Sequence, residues 1–215
     1  MSKINMSKGK FISFEGIEGV GKSTTINYIK KFLEKKDIDV YCTREPGGTN
    51  FGESIRNILL NNKSIIYPEA ELLLMFASRN QHIEEVVIPK LEKGIWVLCD
   101  RFIDASYAYQ GYGKKVKSNK IDLLVKNFTK KIQPDLTIFF NLNYDLAKKR
   151  FPKNKKKDRF ENLDNEFFYD VYSGYLELVK SNKKRIKVVD SNQSKEKVCN
   201  EIKKIITKTF KNFNI

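Results

Sequence analysis

The chain has 215 residues, of which 40% are hydrophobic and 31% are charged, so it can fill the core of one domain and keep a charged surface. No apolar run approaches the roughly 20 residues needed to cross a bilayer, and no apolar signal region follows the basic N-terminus; we therefore expect a cytoplasmic protein with no membrane partner. The net charge of +15 is compatible with nucleic-acid binding, but the lysines are scattered and no nucleic-acid-binding motif accompanies them. We therefore expect the lysines to attract anionic nucleotides, and we expect no specific nucleic-acid partner.

Short apolar runs alternate with longer helical patterns along the chain. The apolar runs are rich in β-branched and aromatic residues and predict buried strands at Phe11–Glu15, Val40–Thr43, Ile95–Asp100, Leu136–Leu142 and Ile186–Asp190. The patterns between them predict helices at 23–36, 52–61, 69–92, 119–131, 143–151, 161–181 and 194–212. This alternation predicts an α/β fold, a doubly wound five-stranded parallel sheet flanked by helices, in a single domain over residues 1–215. Such sheets bind ligands beyond the carboxyl ends of their strands.

The first strand leads directly into a glycine-rich segment that matches the P-loop pattern. Its glycines let backbone N–H groups turn toward phosphate oxygens, and the following helix adds the positive end of its dipole. In this pattern Lys22 reaches the β- and γ-phosphates of a nucleoside triphosphate, and the Ser23 hydroxyl binds Mg²⁺. The residues expected to bind this donor are Gly16, Ile17, Glu18, Gly19, Val20, Gly21, Lys22, Ser23 and Thr24.

The arginines of this lysine-rich chain are concentrated in the segments around the predicted strand ends. Arg44 and Arg101 each follow a strand, and six of the seven arginines lie in such segments or beside a basic stretch after the fourth strand. Because the carboxyl ends of parallel strands meet at one edge of the sheet, we expect Arg44, Arg56, Arg79 and Arg101 to face one cleft. The planar fork of arginine binds phosphate oxygens in pairs, so this cleft suits a phosphorylated acceptor.

Residues 152–159 are basic and contain no apolar anchor. We expect them to belong to a short basic lid, at about residues 151–160, that covers the phosphates; a plain solvated loop is the alternative. The single histidine, His82, has no partner visible in the sequence, so we expect it to be solvated or to cap a helix.

Four segments together resemble the ordered motif set of the bacterial thymidylate kinases. They are Phe14–Thr24, Arg44–Gly48, Asp100–Arg101 and Ala108–Gly111, and the resemblance runs from about residue 10 to the C-terminal helix. It implies a P-loop NTPase fold and the ATP- and Mg²⁺-dependent phosphorylation of dTMP to dTDP, by direct in-line transfer, for dTTP synthesis. It also implies that ATP and dTMP are the bound partners and that two copies of the chain form a homodimer.

The resemblance further assigns roles to single residues. It places Glu18 near the 3′-hydroxyl of the acceptor sugar, gives the acceptor phosphate to Arg44 and Arg101, and puts Arg79 and Gln110 against thymine. The full set that it implies for the acceptor is Glu18, Arg44, Pro46, Arg56, Phe76, Arg79, Arg101, Ser106, Tyr109 and Gln110.

The chain departs from the family pattern at two places. Family members often have the aromatic residue that stacks on the base four residues before the arginine, where this chain has Met75. Phe76 lies only three residues before Arg79, and we expect it to stack on the base nevertheless. Members with a carboxylate at the position of Glu18 usually carry arginines in the lid, whereas this lid offers mainly lysines.

The side chains expected to act on the transferred phosphoryl group are Lys22, Arg101 and Arg159. Arg159 is the candidate for the lid's contact with the transition state, and Arg150 resembles the family's adenine-stacking arginine. Asp100 ends an apolar strand like a Walker-B acid, and we expect it to hold Mg²⁺ together with Ser23; the alternative is that it only pairs with Arg101.

The sequence leaves two other functions open. The first is phosphorylation of a different nucleoside or nucleotide, since a P-loop specifies the donor and not the acceptor. The second is a basic nucleic-acid-binding P-loop ATPase, because a charge of +15 attracts polyanions; stimulation of ATP hydrolysis by DNA would distinguish it.

Overall fold

The computed structural model describes residues 8–130, 132–150 and 158–213. Five strands lie where the apolar runs predict them, with bounds that differ from the predictions by one residue at most. They are β1 Phe11–Glu15, β2 Val40–Arg44, β3 Trp96–Asp100, β4 Leu136–Asn141 and β5 Ile186–Asp190.

The strands form one parallel sheet in the order β2-β3-β1-β4-β5. The chain leaves β1 for one side of the sheet, returns through β3, and continues beyond β1 with β4 and β5, so the prediction of a doubly wound parallel sheet is confirmed. Phe14 of β1 lies opposite Asp100 of β3 in the register. The carboxyl ends of these two strands are therefore side by side, which brings the P-loop next to Asp100 and Arg101.

Helices connect the strands. The described residues contain α1 Lys22–Glu34, α2 Asn50–Leu60, α3 Pro68–His82, α4 Ile88–Glu92, α5 Ile103–Ser106, α6 Ser118–Phe128, α7 Tyr144–Lys149, α8 Asn165–Ser181 and α9 Lys195–Thr209. Two π-helical segments, Ile83–Val87 and Tyr107–Gly113, and a 3₁₀ turn, Lys211–Phe213, complete the helical structure of this part of the chain.

The predicted helices differ from the observed ones in their bounds, and two of them differ most. The single helix predicted over 69–92 is interrupted by the π-helical turn Ile83–Val87, just before Pro89, because proline has no N–H to donate to the preceding turn. The helix predicted to begin at residue 161 begins at Asn165, since the Asp164 side chain caps it by accepting a hydrogen bond of 2.8 Å from the Phe167 N–H.

The sequence pattern predicts no helix from Ile103 to Gly113, where the structure forms α5 and the longer π-helical turn. It packs closely against α8 at two glycines. A β-carbon at Gly174 would lie 2.7 Å from the Tyr112 ring, and one at Gly113 would lie 2.4 Å from the Phe167 ring. This close packing holds the polar residues of the segment at the edge of the sheet.

The central strands β1, β3 and β4 are buried on both faces of the sheet. Along β3, Trp96 and Leu98 belong to one hydrophobic cluster, while Val97 and Cys99 belong to another on the opposite face. This burial explains why the strands read as continuous apolar runs in the sequence. Among the described residues no helix combines the length and the apolar character that a membrane span requires.

Candidate active site

The P-loop connects β1 to α1 in a conformation that depends on its glycines. Gly16, Gly19 and Gly21 have φ values of 136°, 77° and 93°, in the region that favours glycine. Gly21 caps α1 without a side-chain hydrogen bond, and a β-carbon added there would meet no atom within 4 Å. The N-terminus of α1 thus faces open space, as a phosphate site requires.

Lys22 spans the loop and points into its concave side. Its Nζ donates to the carbonyl oxygens of Gly16 and Ile17, at 3.0 Å each, and lies 3.9 Å from Asp100 Oδ1. Burial, together with the nearby Arg101 guanidinium, lowers the pKa of Lys22 to about 8. A buried ammonium group next to another cation is stabilised by an anion, so this environment favours phosphate.

Ser23 and Asp100 form the candidate metal site. The Ser23 hydroxyl lies 3.5 Å from Asp100 Oδ2, and Asp100 Oδ1 is buried without a hydrogen-bond partner in the structure. A carboxylate oxygen and a hydroxyl at this spacing fit Mg²⁺, which keeps several waters and binds phosphates along with few protein ligands. No cluster of three or more acidic, histidine or cysteine side chains is arranged for a metal within the described ranges.

A cavity of about 480 Å³ extends from the P-loop across the carboxyl ends of β1, β2 and β3. Most of the residues predicted to bind nucleotides line it: Glu18, Gly19, Gly21, Lys22, Ser23, Thr24, Arg44, Pro46, Arg56, Arg79, Asp100, Arg101, Ser106, Tyr109 and Gln110. The other predicted residues are not among its lining residues: Gly16, Ile17, Val20, Phe76, Arg150 and Arg159.

Arg101 lies at the centre of this cavity wall. Its backbone has a φ of 69° and its N–H donates to the Phe14 carbonyl, which fixes the residue against the end of β1. Its guanidinium donates to Glu18 Oε1 at 2.8 Å and to the Tyr175 hydroxyl at 3.1 Å, and it stacks on the Tyr109 ring at 4.7 Å. The side chain is 15% exposed, so it is largely desolvated but still open to the cavity.

Glu18 is held in the ionised state by its neighbours. Its carboxylate accepts from Arg101 and, at 2.9 and 3.0 Å, from the Tyr109 hydroxyl. Burial acts to raise the pKa of Glu18, but Arg101, Lys22 and the Tyr109 hydrogen bond together hold it below its usual value. Burial raises the pKa of Tyr109 well above the usual range, so Tyr109 stays a phenol that donates to the carboxylate.

Glu15 and Tyr175 support Arg101 from beneath, and sequence reasoning missed both. Glu15 is 1% exposed and accepts from the Tyr175 hydroxyl at 2.8 Å and from the Phe102 N–H at 2.7 Å. Burial and the charge of Asp104 raise the pKa of Glu15 to about 8. A carboxylate inside an apolar strand was the available signal for Glu15; Tyr175 lies on α8 among core residues and gave none.

A second buried network surrounds Arg79. Its guanidinium donates to Glu45 Oε2 at 2.6 Å, to the Ser106 hydroxyl at 2.9 Å and to the Phe102 carbonyl at 3.0 Å. His82 lies on the other side of Glu45, with Nδ1 at 2.9 Å, and its Nε2 is 2.8 Å from the Thr43 hydroxyl. The expectation of a solvated or capping His82 is therefore wrong, because the ring is fully buried and hydrogen-bonded on both nitrogens.

Arg44 and Arg56 close the cavity on the side of β2. Arg44 pairs with Glu53 at 2.8 Å but is 52% exposed, so its guanidinium remains accessible. Arg56 donates to the carbonyl of Pro46, which follows Glu45 through a cis peptide bond. Burial and the neighbouring charge of Arg44 lower the pKa of Arg56, which again marks a site with more cations than anions.

Phe76 lies in the interior and not on the cavity wall. It is 3% exposed and packs with Leu72 and Ile121, and the Arg79 guanidinium stacks on its ring at 4.7 Å. Met75 lines the cavity instead. The structure places Phe76 where it would not meet a base in the cavity, contrary to the prediction, because one step along α3 rotates a side chain by about 100° and turns Met75 toward the cavity.

Arg159 is engaged in the interior. It donates to Glu71 and, at 2.6 Å, to the Leu59 carbonyl, and its guanidinium stacks on the Phe160 ring at 4.5 Å. These contacts hold the Arg159 side chain away from the cavity lining and anchor residues 158–160, so they do not support its predicted role as the transition-state contact. Arg150 is exposed at the end of α7. The rest of the predicted lid, residues 151–157, lies outside the described residues.

Comparisons with known proteins show the family to which this chain is related. A family model described as thymidylate kinase matches residues 14–202. The thymidylate kinase of Nitrosomonas europaea is 41% identical over 201 residues, which cover 94% of either chain. The chain belongs to the thymidylate kinase family. A second family member, from Ruthia magnifica subsp. Calyptogena magnifica, is 45% identical over 202 residues, which cover 94% of this chain and 98% of the relative. The crystal structure of thymidylate kinase from Ehrlichia chaffeensis has a TM-score of 0.77 at 31% identity, over 93% of this chain and 99% of that one.

Replacement of Arg159 by alanine tests its role as an anchor. The change leaves the Glu71 carboxylate buried without its cation, so we expect the free energy of unfolding to fall by about 3 kcal/mol. The kcat of the folded variant should change by less than about tenfold, because Arg159 is not among the residues that line the cavity. Chemical denaturation and steady-state kinetics measure the two effects, with Lys31→Ala on the exposed face of α1 as the control. A large loss of kcat at unchanged stability would return Arg159 to the transition state.

The elevated pKa of Glu15 predicts a pH effect on stability. Between the usual value of 4.5 and about 8, the folded protein binds a proton at Glu15 that the unfolded chain has released. The free energy of unfolding therefore falls as the pH rises through this window, by at most about 1.4 kcal/mol per pH unit from this group. Denaturation of Glu15→Gln and the wild type at pH 5, 6.5 and 8 should show that the free energy of unfolding of the variant increases relative to that of the wild type as the pH rises. Parallel curves would contradict the prediction.

Proposed function

We propose that the chain carries out the dTMP phosphorylation of its family in this cavity, with ATP as the donor and Mg²⁺ as the metal, as a cytoplasmic homodimer. The observation that carries the proposal is the position of Arg101. It lies between the P-loop, which binds the donor phosphates, and the arginine-lined wall for the acceptor, and contacts Glu18 of the loop directly.

The donor side of the reaction uses the P-loop. Its backbone N–H groups and the N-terminus of α1 bind the phosphates, and Lys22 moves from the carbonyls of Gly16 and Ile17 to the β- and γ-oxygens. Bound phosphate restores the pKa of Lys22, which burial and Arg101 lower. Mg²⁺, when bound, neutralises charge on the β- and γ-phosphates, and Ser23 and Asp100 are the residues that would hold it or its waters.

Arginine side chains form the binding site for the phosphate of the acceptor. Arg44 and Arg101 bind the phosphate of dTMP, with Arg56 close behind them. One oxygen of this phosphate attacks the γ-phosphorus in line, and the bond from that phosphorus to the β,γ-bridging oxygen breaks, which leaves ADP. The acceptor is already an anion near neutral pH, so the step needs no strong general base; Glu18 positions Arg101 and meets the sugar.

The base pocket lies beyond the phosphates. Met75 and Pro46 offer apolar contact for the pyrimidine ring, while Gln110 and Arg79 offer polar groups at its edge. Arg79 is rigid because three hydrogen bonds hold its guanidinium, so the pocket is formed before the base enters.

An apolar surface on α2, α3 and α6 supports the homodimer. Phe51, Leu73 and Leu123 are 51%, 58% and 60% exposed, one on each helix. Helix α3 packs against both α2 and α6, so the three side chains belong to neighbouring helices. Large exposed apolar side chains on adjacent helices are typical of an interface, and a second copy of the chain is the proposed occupant.

An acceptor panel tests the proposed reaction. A coupled ADP-release assay with ATP and Mg²⁺ should show higher kcat/KM for dTMP than for dCMP, dGMP or AMP, and EDTA should abolish turnover. Lys22→Met should lower kcat at least about 100-fold, because it removes the cation that meets the transferred phosphate. Lys31→Met, on the exposed face of α1, is the matched control and should retain activity. Preference for a purine monophosphate would contradict the proposal.

Sedimentation velocity tests the homodimer. Wild-type protein should sediment as a dimer, and Leu73→Glu should shift it to a monomer because a charge would be buried in the interface. Tyr28→Glu on α1 is the control, since Tyr28 is 38% exposed but lies on a helix outside the proposed surface. A wild-type monomer at high protein concentration, or equal dissociation of both variants, would overturn this part of the proposal.

A further inference from the structure

Glu71 of α3 is a fully buried carboxylate that joins the base pocket to the end of the lid. Its Oε1 accepts a hydrogen bond of 2.9 Å from Nε2 of Gln110, and its Oε2 accepts from the guanidinium of Arg159. Gln110 is itself 1% exposed, yet it is one of the residues that line the cavity. The carboxylate is therefore placed directly behind a side chain that faces the acceptor base.

The chemistry of this contact fixes the orientation of the Gln110 amide. A carboxylate that pairs with arginine only accepts hydrogen bonds, so the NH₂ group of Gln110 must face Glu71. The amide oxygen then takes the opposite direction. Among residues 8–130, 132–150 and 158–213 no group donates a hydrogen bond to that oxygen. The two ends of an amide are otherwise interchangeable in shape, so the carboxylate decides which of them the base meets.

We infer that Glu71 is a positioning residue that sets the pyrimidine specificity of the acceptor site. By holding the Gln110 amide with its oxygen toward the cavity, it presents a hydrogen-bond acceptor to the base. Thymine and uracil have an N3–H that donates to such an oxygen, whereas N3 of cytosine is an acceptor and would leave both groups unpaired. A site built around one hydrogen bond rejects the base that cannot make it. This inference rests on the proposed function, since it concerns the same acceptor site.

The Glu71→Gln variant tests the inference because it keeps the shape of the side chain. The new amide can accept from Arg159 with its oxygen and donate to Gln110 with its NH₂ group, which turns the Gln110 amide over. The ratio of kcat/KM for dTMP to that for dCMP should fall by at least about tenfold, because the KM for dTMP should rise and the KM for dCMP should fall. The KM for ATP should stay unchanged, a result that a general loss of structure would not give.

Arg159→Lys is the matched control. It alters the other partner of Glu71 but keeps a cation beside the carboxylate, so the ratio of kcat/KM for dTMP to that for dCMP should stay at the wild-type value. Thermal unfolding confirms that both variants fold. A measurement on the wild type is independent of folding: dUMP, which has the N3–H, should be preferred to dCMP at least about 100-fold.

Two outcomes would overturn the inference. One is a ratio of kcat/KM for dTMP to that for dCMP that is unchanged in Glu71→Gln, whether or not both values fall. Another is an equal kcat/KM of the wild type for dUMP and dCMP. If the wild type instead prefers a purine monophosphate, the proposed function itself fails, and the two failures are thereby distinguished.

Discussion

The ion pair between Arg101 and Glu18 is the interaction on which the rest of the site depends. It joins the end of β3 to the P-loop at the end of β1, two neighbouring strands whose register puts Phe14 opposite Asp100. A parallel sheet brings strand ends together, but it does not fix the side chains that extend beyond them. The ion pair supplies that constraint, and Tyr109 and Tyr175 hold the two partners in turn. The guanidinium of Arg101 is thereby held in the cavity wall by groups of the chain itself.

The cations of the cavity are held in place by different means. Arg79 is bound by three buried groups and serves as a rigid wall. Lys22 donates to two backbone carbonyls, and burial and the nearby Arg101 lower its pKa, which disfavours its charged form. Phosphate resolves this imbalance, because an anion stabilises the buried ammonium. Arg79 is thus suited to orienting a ligand, and Lys22 is suited to neutralising its negative charge.

Much of this architecture could be predicted from the sequence, because the signals were local. The central strands β1, β3 and β4 are buried on both faces and read as apolar runs, and the P-loop follows from the spacing of its glycines and Lys22. The errors came from contacts between residues distant in the chain. Arg159 finds its partner Glu71 88 positions away, and His82 finds Glu45 37 positions away. Because the neighbouring sequence does not contain these partners, it wrongly predicts that the side chains are exposed to solvent.

Smaller errors had geometric causes. Met75 and Phe76 are adjacent on α3, and this one-residue difference in position places Met75 at the cavity and Phe76 in the core. The helical segment with Tyr109 and Gln110 was missed because its glycines and tyrosines give no helical pattern, and α8 stabilises it by packing. In each case the tertiary environment, and not local propensity, determined the outcome.

A double-mutant cycle on Glu18 and Arg101 tests the central claim most directly. Glu18→Gln, Arg101→Lys and the double variant would be compared with the wild type in kcat/KM for dTMP at saturating ATP, after their folding is checked by thermal unfolding. If the ion pair positions the acceptor arginine, the combined loss should be smaller than the sum of the single losses by at least about 1.4 kcal/mol, a factor of ten. Additive losses would show that the two residues act independently and would contradict the account.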